Sequence, residues 1–271
     1  MKSQCEKRQD YPSDISDEEW NLIKDDIPKI KSNKKTGGRP EKYPRREIVS
    51  AILYLVSSGC RYCDIPHDLP PGGIVWKYFN AWSKSGIWKK INNKLRKLVR
   101  SQRGRNENPS AGIIDSQTAK SIEIIENSGY DAGKKIKGRK RHLLTDTQGF
   151  VVNAVVHSAA IQDRDGAKIL LRRSGKLLDS IQKIFVDGGY AGKLIESVKE
   201  KYNIALEVVK RNELHKFVVL PMRWVIERTN AWISKARRLA KDYEQKTKNQ
   251  ESMIYIRMIQ LMLKWATPGV S

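Results

Sequence analysis

Apolar residues recur along the 271-residue chain at two different spacings, one of which holds alone through the first part of the chain. Up to about position 105 it is helical. Ser16, followed three residues later by Glu19, has the form of a capping box and predicts a short helix through Ile23 that Pro28 ends. Ile48, Ile52, Leu55 and Val56 share one face of a second helix over Arg45–Ser57, closed by a turn at Gly59. A short helix over Arg61–Ile65 breaks before Pro66. Pro70-Pro71-Gly72-Gly73 separates it from a helix over Ile74–Ser85, and a basic helix follows over Trp88–Arg103.

After Pro109 the period becomes strand-like. Ala111–Asp115, Arg141–Asp146, Phe150–His157 and Ile181–Asp187 read as strands, the middle two joined by a turn at Thr147-Gln148-Gly149. Helical spacing returns over Asp165–Leu178 and Gly192–Lys201, with a further strand at Ile204–Val209. Helices over Pro221–Lys241 and Gln250–Trp265 close the pattern. Three strands followed by strands alternating with helices is the element order of a ribonuclease-H-like α/β fold, a mixed sheet flanked by helices. The expected division is an all-α region over 1–108 and an α/β region over 109–271, meeting at Arg105–Pro109.

Charge then narrows the possible partners. The formal net charge is +22, which calls for a polyanion, nucleic acid before an anionic membrane. Residues 1–26 hold 4 basic and 8 acidic side chains, whereas 27–108 hold 19 and 5. The densest positive region is therefore the helical one. Within it, Lys31–Lys42 is too polar and too rich in glycine and proline to pack, and reads as a tether or arm. The 45–85 stretch has a helix-turn-helix-like layout, in which the last helix would expose Lys77, Asn80 and Lys84 while Val75, Tyr78, Phe79 and Trp82 pack. A helical bundle with a basic solvated face fits the same pattern. No apolar run approaches the ~20 residues that a membrane-spanning helix needs. Met1–Asp10 also lacks the apolar core of a signal peptide, so a cytoplasmic protein is expected. Cys60, Cys63 and His67 form a C-x2-C-x3-H group without a good fourth zinc ligand, so two small thiols in a helical segment is the plainer reading.

Two carboxylates stand where a strand should not end in charge. Asp115 closes the apolar run Gly112-Ile113-Ile114, and Asp187 follows Ile184-Phe185-Val186 and precedes Gly188-Gly189. Unpaired carboxylates in such places are costly, and side by side they would repel one another or recruit a divalent cation. Projected at 100° per residue, the helix from Pro221 packs Val225, Ile226, Thr229, Trp232 and Ile233. It turns Glu227 the other way, with Arg223, Asn230, Ser234 and Arg238. The basic run Lys134, Lys135, Lys137, Arg139, Lys140 and Arg141, soon after Asp115, favours phosphate contact. Asp163 and Asp165 read as helix caps, Asp146 as a turn residue, and His142 and His157 as structural.

These residues also carry a resemblance. Ile113-Ile114-Asp115-Ser116-Gln117, Gly129-Tyr130-Asp131-Ala132-Gly133-Lys134-Lys135, Gly138-Arg139-Lys140-Arg141-His142, Val186-Asp187-Gly188-Gly189-Tyr190-Ala191-Gly192 and Arg223-Trp224-Val225-Ile226-Glu227-Arg228 together resemble the DDE-class transposases of bacterial insertion sequences. The likeness runs over roughly positions 11–265, and Leu53–Trp88 resembles that family's helical DNA-binding half. It departs from a Y-x2-R-x3-E-x6-K pattern of related families, since Leu220 and Ser234 hold the outer positions and Lys235 comes one residue late. Asn230 stands where an aromatic residue is expected.

The resemblance implies binding of terminal inverted repeats, cleavage of the DNA ends and their joining to target DNA in the bacterial nucleoid. It implies Asp115, Asp187 and Glu227 as catalytic metal ligands for two Mg2+ ions (Mn2+ substituting), and Arg223 and Arg238 beside the DNA. The implied partner is double-stranded DNA, at element ends and target, held by a homodimer or larger assembly. A stand-alone ribonuclease-H-like nuclease or resolvase is the alternative enzyme. A catalytically silent, transposase-derived DNA-binding regulator is the non-enzymatic alternative.

Overall fold

The computed structural model describes residues 8–28, 41–122, 125–209 and 223–267. Four helices come first. The capping box forms as expected: Glu19 N–H donates to Ser16 Oγ and Ser16 N–H to Glu19 Oε2, opening α1 (Asp17–Ile23). The expected tether Lys31–Lys42 lies outside the described residues except for Glu41 and Lys42. Helix α2 (Arg45–Ser58) ends where Gly59 adopts φ +74°, a left-handed cap that glycine takes without strain. The path from α2 to α3 (Gly72–Ser85) then runs through a 3-10 turn at Tyr62–Asp64. That connection is much longer than the 3–4-residue turn of a tight helix-turn-helix. The expected layout is thus corrected to a helical pair with an extended link, and α4 (Ile87–Gln102) completes the region.

A six-stranded sheet follows. β1 (Ala111–Lys120) pairs antiparallel with β3 (Ile136–Asp146), and β3 pairs antiparallel with both β2 (Gly129–Asp131) and β4 (Val151–Ser158). On the other side β1 runs parallel to β5 (Lys183–Val186), which runs parallel to β6 (Ala205–Val208). The order β4-β3-β1-β5-β6, antiparallel and then parallel, is ribonuclease-H-like. Helices α5 (Asp163–Ser174) and α6 (Leu194–Tyr202) cover one part of it through Val155, Ala167, Leu170, Ile184 and Val198. The helix expected from Pro221 to Lys241 is shorter: α7 spans Arg223–Ser234, and a 3-10 turn at Arg237–Leu239 leads toward α8 (Thr247–Ala266). β1 and β3 are longer than read from the sequence, because the polar second half of β1 still pairs with the polar first half of β3.

Helix α8 explains why the helical region does not stand apart. Its Met253, Ile254, Met258, Ile259 and Met262 are buried in one apolar cluster with α2, α3, α4 and the β4 residues Val151, Ala154 and Val156. It also closes an open edge. β4 is paired on one side only, and its Ala154 and Val156 N–H groups donate to Tyr255 Oη (2.9 Å) and Glu251 Oε1 (3.0 Å). Edge groups satisfied in this way cannot template pairing with another chain. A buried ion pair, Arg100 Nη1 to Asp146 Oδ2 at 2.8 Å, fastens α4 to the β3–β4 hairpin. The expected turn role of Asp146 is also met, since its Oδ1 accepts from Gln148 and Phe150 N–H.

Candidate active site

Register decides which carboxylates meet. β1 and β5 are aligned Ile113 to Phe185, so Asp115, inside β1, and Asp187, just past the end of β5, are each two residues further on and stand at the same level of adjacent parallel strands. Helix α7 crosses that end, with Val225 and Ile226 packed against Ile113 and Phe185. The apolar side of α7 therefore lies on the strands that carry the two aspartates. Glu227 is exposed and Asn230 half-buried on its other side, and their spacing of three puts them on one face. Asn230 Nδ2 donates to Asp115 Oδ2 at 2.9 Å. The helix that carries Glu227 is thus tied to Asp115 one turn later.

Electrostatics set the Asp115 carboxyl apart. Burial pushes its pKa above the usual carboxylate range, and nearby Asp187 pushes the same way. Hydrogen bonds from Asn230 and the Ser116 amide, together with the Lys134 charge, oppose the shift without cancelling it. Asp187 itself is exposed and turns back to accept from Gly189 N–H (2.9 Å), shaping the 3-10 turn Gly188–Tyr190. The donors at this end are hard carboxylate oxygens plus an Asn230 oxygen that is buried without a hydrogen-bond partner. Such a set suits an oxygen-seeking divalent cation better than a soft metal. Among the described residues no three His, Cys, Asp or Glu side chains are grouped closely enough to hold a metal ion between them. The three carboxylates do not close into a cluster, and neither do Cys60, Cys63 and His67.

A second polar cluster lies beside the first. Ser116, next to Asp115, donates from Oγ to Asp163 Oδ1 (2.9 Å), and Lys140 Nζ bridges Asp163 (3.0 Å) and Asp131 (3.6 Å). Asp163 was expected to cap α5 and does not: its carboxylate points to the sheet. Burial would raise its pKa, but the bonds from Lys140 and Ser116 hold it below the usual range. Asp131, Lys140 and Asp163, with Gln162, Arg164, Tyr130 and Gly189, line an open cleft of about 380 Å³.

Behind them lies a hydrogen-bonded chain. His157 Nδ1 lies 2.9 Å from the Ser158 carbonyl, which can only accept, so that nitrogen bears the proton. His157 Nε2 then accepts from His142 Nδ1 (2.7 Å), and His142 Nε2 accepts from the Tyr190 hydroxyl (3.0 Å). Both rings are neutral: burial lowers the His142 pKa to about 3 and also lowers that of His157. A Cβ on Gly166 of α5 would fall 2.4 Å from His142 Cε1. Only glycine lets α5 lie on this pair. The structural role expected of both histidines agrees with this placement.

The expected DNA-facing residues divide. Lys134, Lys135 and Lys137 are exposed on and before the start of β3, and Lys134 Nζ reaches the Ser116 carbonyl (3.2 Å). Arg139, Lys140 and Arg141 are buried, which corrects the expected phosphate contact. β3 is a central strand covered on both faces, and its side chains alternate. Arg139 and Arg141 turn to the Asp242 side and Lys140 to the Asp163 side. Arg238 is corrected likewise: the helix ends before it, and its guanidinium pairs with Glu244 (2.9 Å) and donates to the Cys60 carbonyl. The side chain of Arg223 lies outside the described residues. On α3, Lys77 and Lys84 are exposed and Asn80 half-buried, while Val75, Phe79 and Trp82 are buried as expected. Trp76, beside Lys77, is also exposed (50%).

Comparison with known proteins agrees with this arrangement. The family model described as "Transposase DDE domain" matches residues 106–262, more than half of the chain. The chain belongs to the DDE transposases. A second model, "Putative transposase of IS4/5 family", matches residues 15–92, in the helical region. Two Burkholderia cepacia proteins are similar over part of their length. The "Insertion element IS402 uncharacterized 16.2 kDa protein" is 24% identical over 117 residues, covering 42% of this chain and 78% of that one. The "Putative transposase for insertion sequence element IS402" is 27% identical over 116 residues, covering 40% of this chain and 55% of that one. Among solved structures, the Mos1 transposase paired-end complex with left transposon end aligns over 86% of this chain and 80% of its own. Its TM-score is only 0.25, at 11% identity.

Proposed function

We propose that this transposase binds the terminal inverted repeats of an insertion sequence, cleaves the DNA at those ends and joins them to target DNA. Asp115, Asp187 and Glu227 are its catalytic carboxylates. The observation that carries the reading is the parallel register of β1 and β5, which delivers Asp115 and Asp187 to one end, under a helix bearing Glu227 and tied to Asp115 by Asn230. Asp115 and Asp187, with Glu227, would hold divalent cations, magnesium in the cell with manganese able to substitute. Such ions supply Lewis-acid stabilisation of the charge that develops on phosphate oxygens. The chain's own part is to orient the carboxylates: Asn230 and the Ser116 amide hold Asp115, and the Gly188–Tyr190 turn holds Asp187. Exposed Lys134, Lys135 and Lys137 contact DNA phosphates near the scissile position, and Arg223 is a further DNA-binding residue.

Helix α3, with Lys77, Asn80 and Lys84, contributes to end recognition, and the helical region of 1–108 acts as the DNA-binding unit. Two or more copies assemble on paired ends. No helix among the described residues is long and apolar enough to cross a membrane, and the reaction belongs with chromosomal DNA in the bacterial cytoplasm.

The decisive experiment is Asp115→Asn on duplexes carrying the element's ends. The several kcal/mol that a metal site contributes to the transition state correspond to a loss of cleavage of about 10³-fold or more, with footprints on the terminal repeats unchanged. Cleavage at the parental rate in magnesium would refute the assignment. Absence of any specific footprint by the parental protein would favour a stand-alone nuclease. Failure of the parental protein to excise a marked element from a plasmid would favour the silent regulator.

A further inference from the structure

Asn230 is the polar side chain of α7 that touches a carboxylate at the acidic end, and its two amide atoms are treated unequally. Nδ2 donates to Asp115 Oδ2 at 2.9 Å. Oδ1 is buried and has no hydrogen-bond partner. A buried acceptor left unsatisfied costs roughly 1–3 kcal/mol, and native proteins keep few of them. The neighbouring carboxylates cannot relieve it, because ionised Asp115 and Asp187 are acceptors as well. Turning the amide over would set its oxygen against Asp115. What satisfies such an oxygen is a donor or a cation.

Packing gives no reason for the amide. Val225, Ile226 and Ile233 already supply the apolar contacts of α7, and an aliphatic side chain at 230 would carry no unsatisfied atom. Position 230 also shares the helix face of Glu227, so an oxygen there lies on the side of α7 that meets the acidic end.

We propose that Asn230 is a positioning residue of the acidic end. Its Nδ2 fixes the Asp115 carboxylate through Oδ2, leaving the other carboxylate oxygen to face the cation, and its Oδ1 adds a neutral oxygen to the cation's surroundings. This rests on reading Asp115 and Asp187 as cation ligands, and it names a residue outside the three carboxylates. A neutral ligand beside like charges adds an oxygen without adding repulsion.

The test is manganese binding by the full-length protein, measured by titration calorimetry without DNA, so that turnover is not the readout. The parental protein is expected to bind and Asp115→Asn to lose binding. Asn230→Ala should weaken the affinity about 10–100-fold, the usual cost of losing a group that orients a metal ligand. Asn230→Leu, close in volume but without either amide atom, should weaken it to a similar extent. Urea unfolding in EDTA reports whether each variant is folded. A parental protein that binds no manganese overturns both the cation reading and this one. Parental binding with Asn230→Ala inside two-fold overturns the role of Asn230 alone. If Asn230→Ala does not fold, Asn230→Leu decides: an affinity within two-fold of the parent refutes the proposal.

Discussion

The sheet carries two groups of charged residues on neighbouring strands, and they are assembled by opposite rules. On β3, Arg139 is fully buried and meets Asp242 in a two-pronged ion pair, Nε to Oδ2 at 2.6 Å and Nη2 to Oδ1 at 2.7 Å. Its remaining N–H groups reach the carbonyls of Glu126, Gln245 and Glu244, while Arg141 donates to those of Leu239 and Lys241. Nearly every donor has an acceptor and opposite charges touch. Where the end of β5 lies beside the middle of β1, like charges are set together, a partly buried carboxylate has its pKa pushed up, and an amide oxygen goes unpaired. Where a fold can satisfy its buried charges this well, a place where it does not is a place kept for something else to bind. The basic motif on β3 and the acidic motif on β1 look equally chemical in sequence. Only the first has its charges paired off within the fold.

Breaking the satisfied cluster should have the largest effect. Arg139→Ala leaves Asp242 buried and unpaired, which costs about 3–5 kcal/mol and should appear as a loss of the urea midpoint. A double variant, Arg139→Met with Asp242→Leu, is expected to recover most of it. A urea midpoint for Arg139→Ala equal to that of the parent would remove the contrast drawn between the two clusters.

Acid probes the neutral histidine chain. His142 has a folded pKa near 3, against about 6.5 for an exposed histidine. Between those values the unfolded chain binds the extra proton. Stability is therefore fully present above pH 6.5 and falls as the pH drops, by up to about 1.4 kcal/mol per pH unit for this residue. His157, also lowered, adds in the same direction. Denaturant titrations from pH 7.5 to 4.5 should show the decline, and His142→Asn should flatten it. An unchanged slope in that variant would mean that the carboxylates dominate.

The acidic end should respond the other way. In EDTA, Asp115→Asn removes one of two neighbouring like charges and is expected to raise stability by about 1 kcal/mol, as often happens when a strained functional group is neutralised. A clear loss of stability would mean that Asp115 is held by its partners as well as Arg139 is. The smallest expected effect is on the exposed lysines. Lys135→Ala or Lys137→Ala should leave folding unchanged and reduce the salt slope of DNA binding by about one each. Arg141→Ala should act through stability instead. Equal salt slopes for all three variants would contradict the inward placement of Arg141.

Much of this was legible in the chain. Capping at Ser16 and Glu19, the Gly59 stop, the β3–β4 hairpin and the apolar strand runs before Asp115 and Asp187 depend on neighbours within a few residues, and their signals are local. The helix from Arg223 was read too long, because Ala236 and Leu239 continue the apolar spacing after Ser234 although the backbone at Ala236 is extended. The basic run on β3 misled for a similar reason. Charge is visible in sequence, but whether a strand is covered on both faces depends on segments about a hundred residues away. Asp163 fits its spacing as a cap, and only the partners across the sheet, Ser116 and Lys140, show where its carboxylate goes.

The sequence by itself determined the element order, the basic character that points to nucleic acid, and the two aspartates whose strands would otherwise bury unpaired charge. Periodicity and the cost of burial both act along the chain, so no knowledge of distant contacts was needed. Tertiary structure decided the rest: the register that aligns Asp115 with Asp187, the helix α8 that joins the first four helices to the sheet, and the division of one basic motif into exposed lysines and buried arginines. It also decided that Asn230 of α7 is a side chain in contact with Asp115. These are pairings between residues as much as 207 positions apart, as between Gln260 and Leu53, and what settles them is which groups can bury or satisfy one another once the sheet is formed.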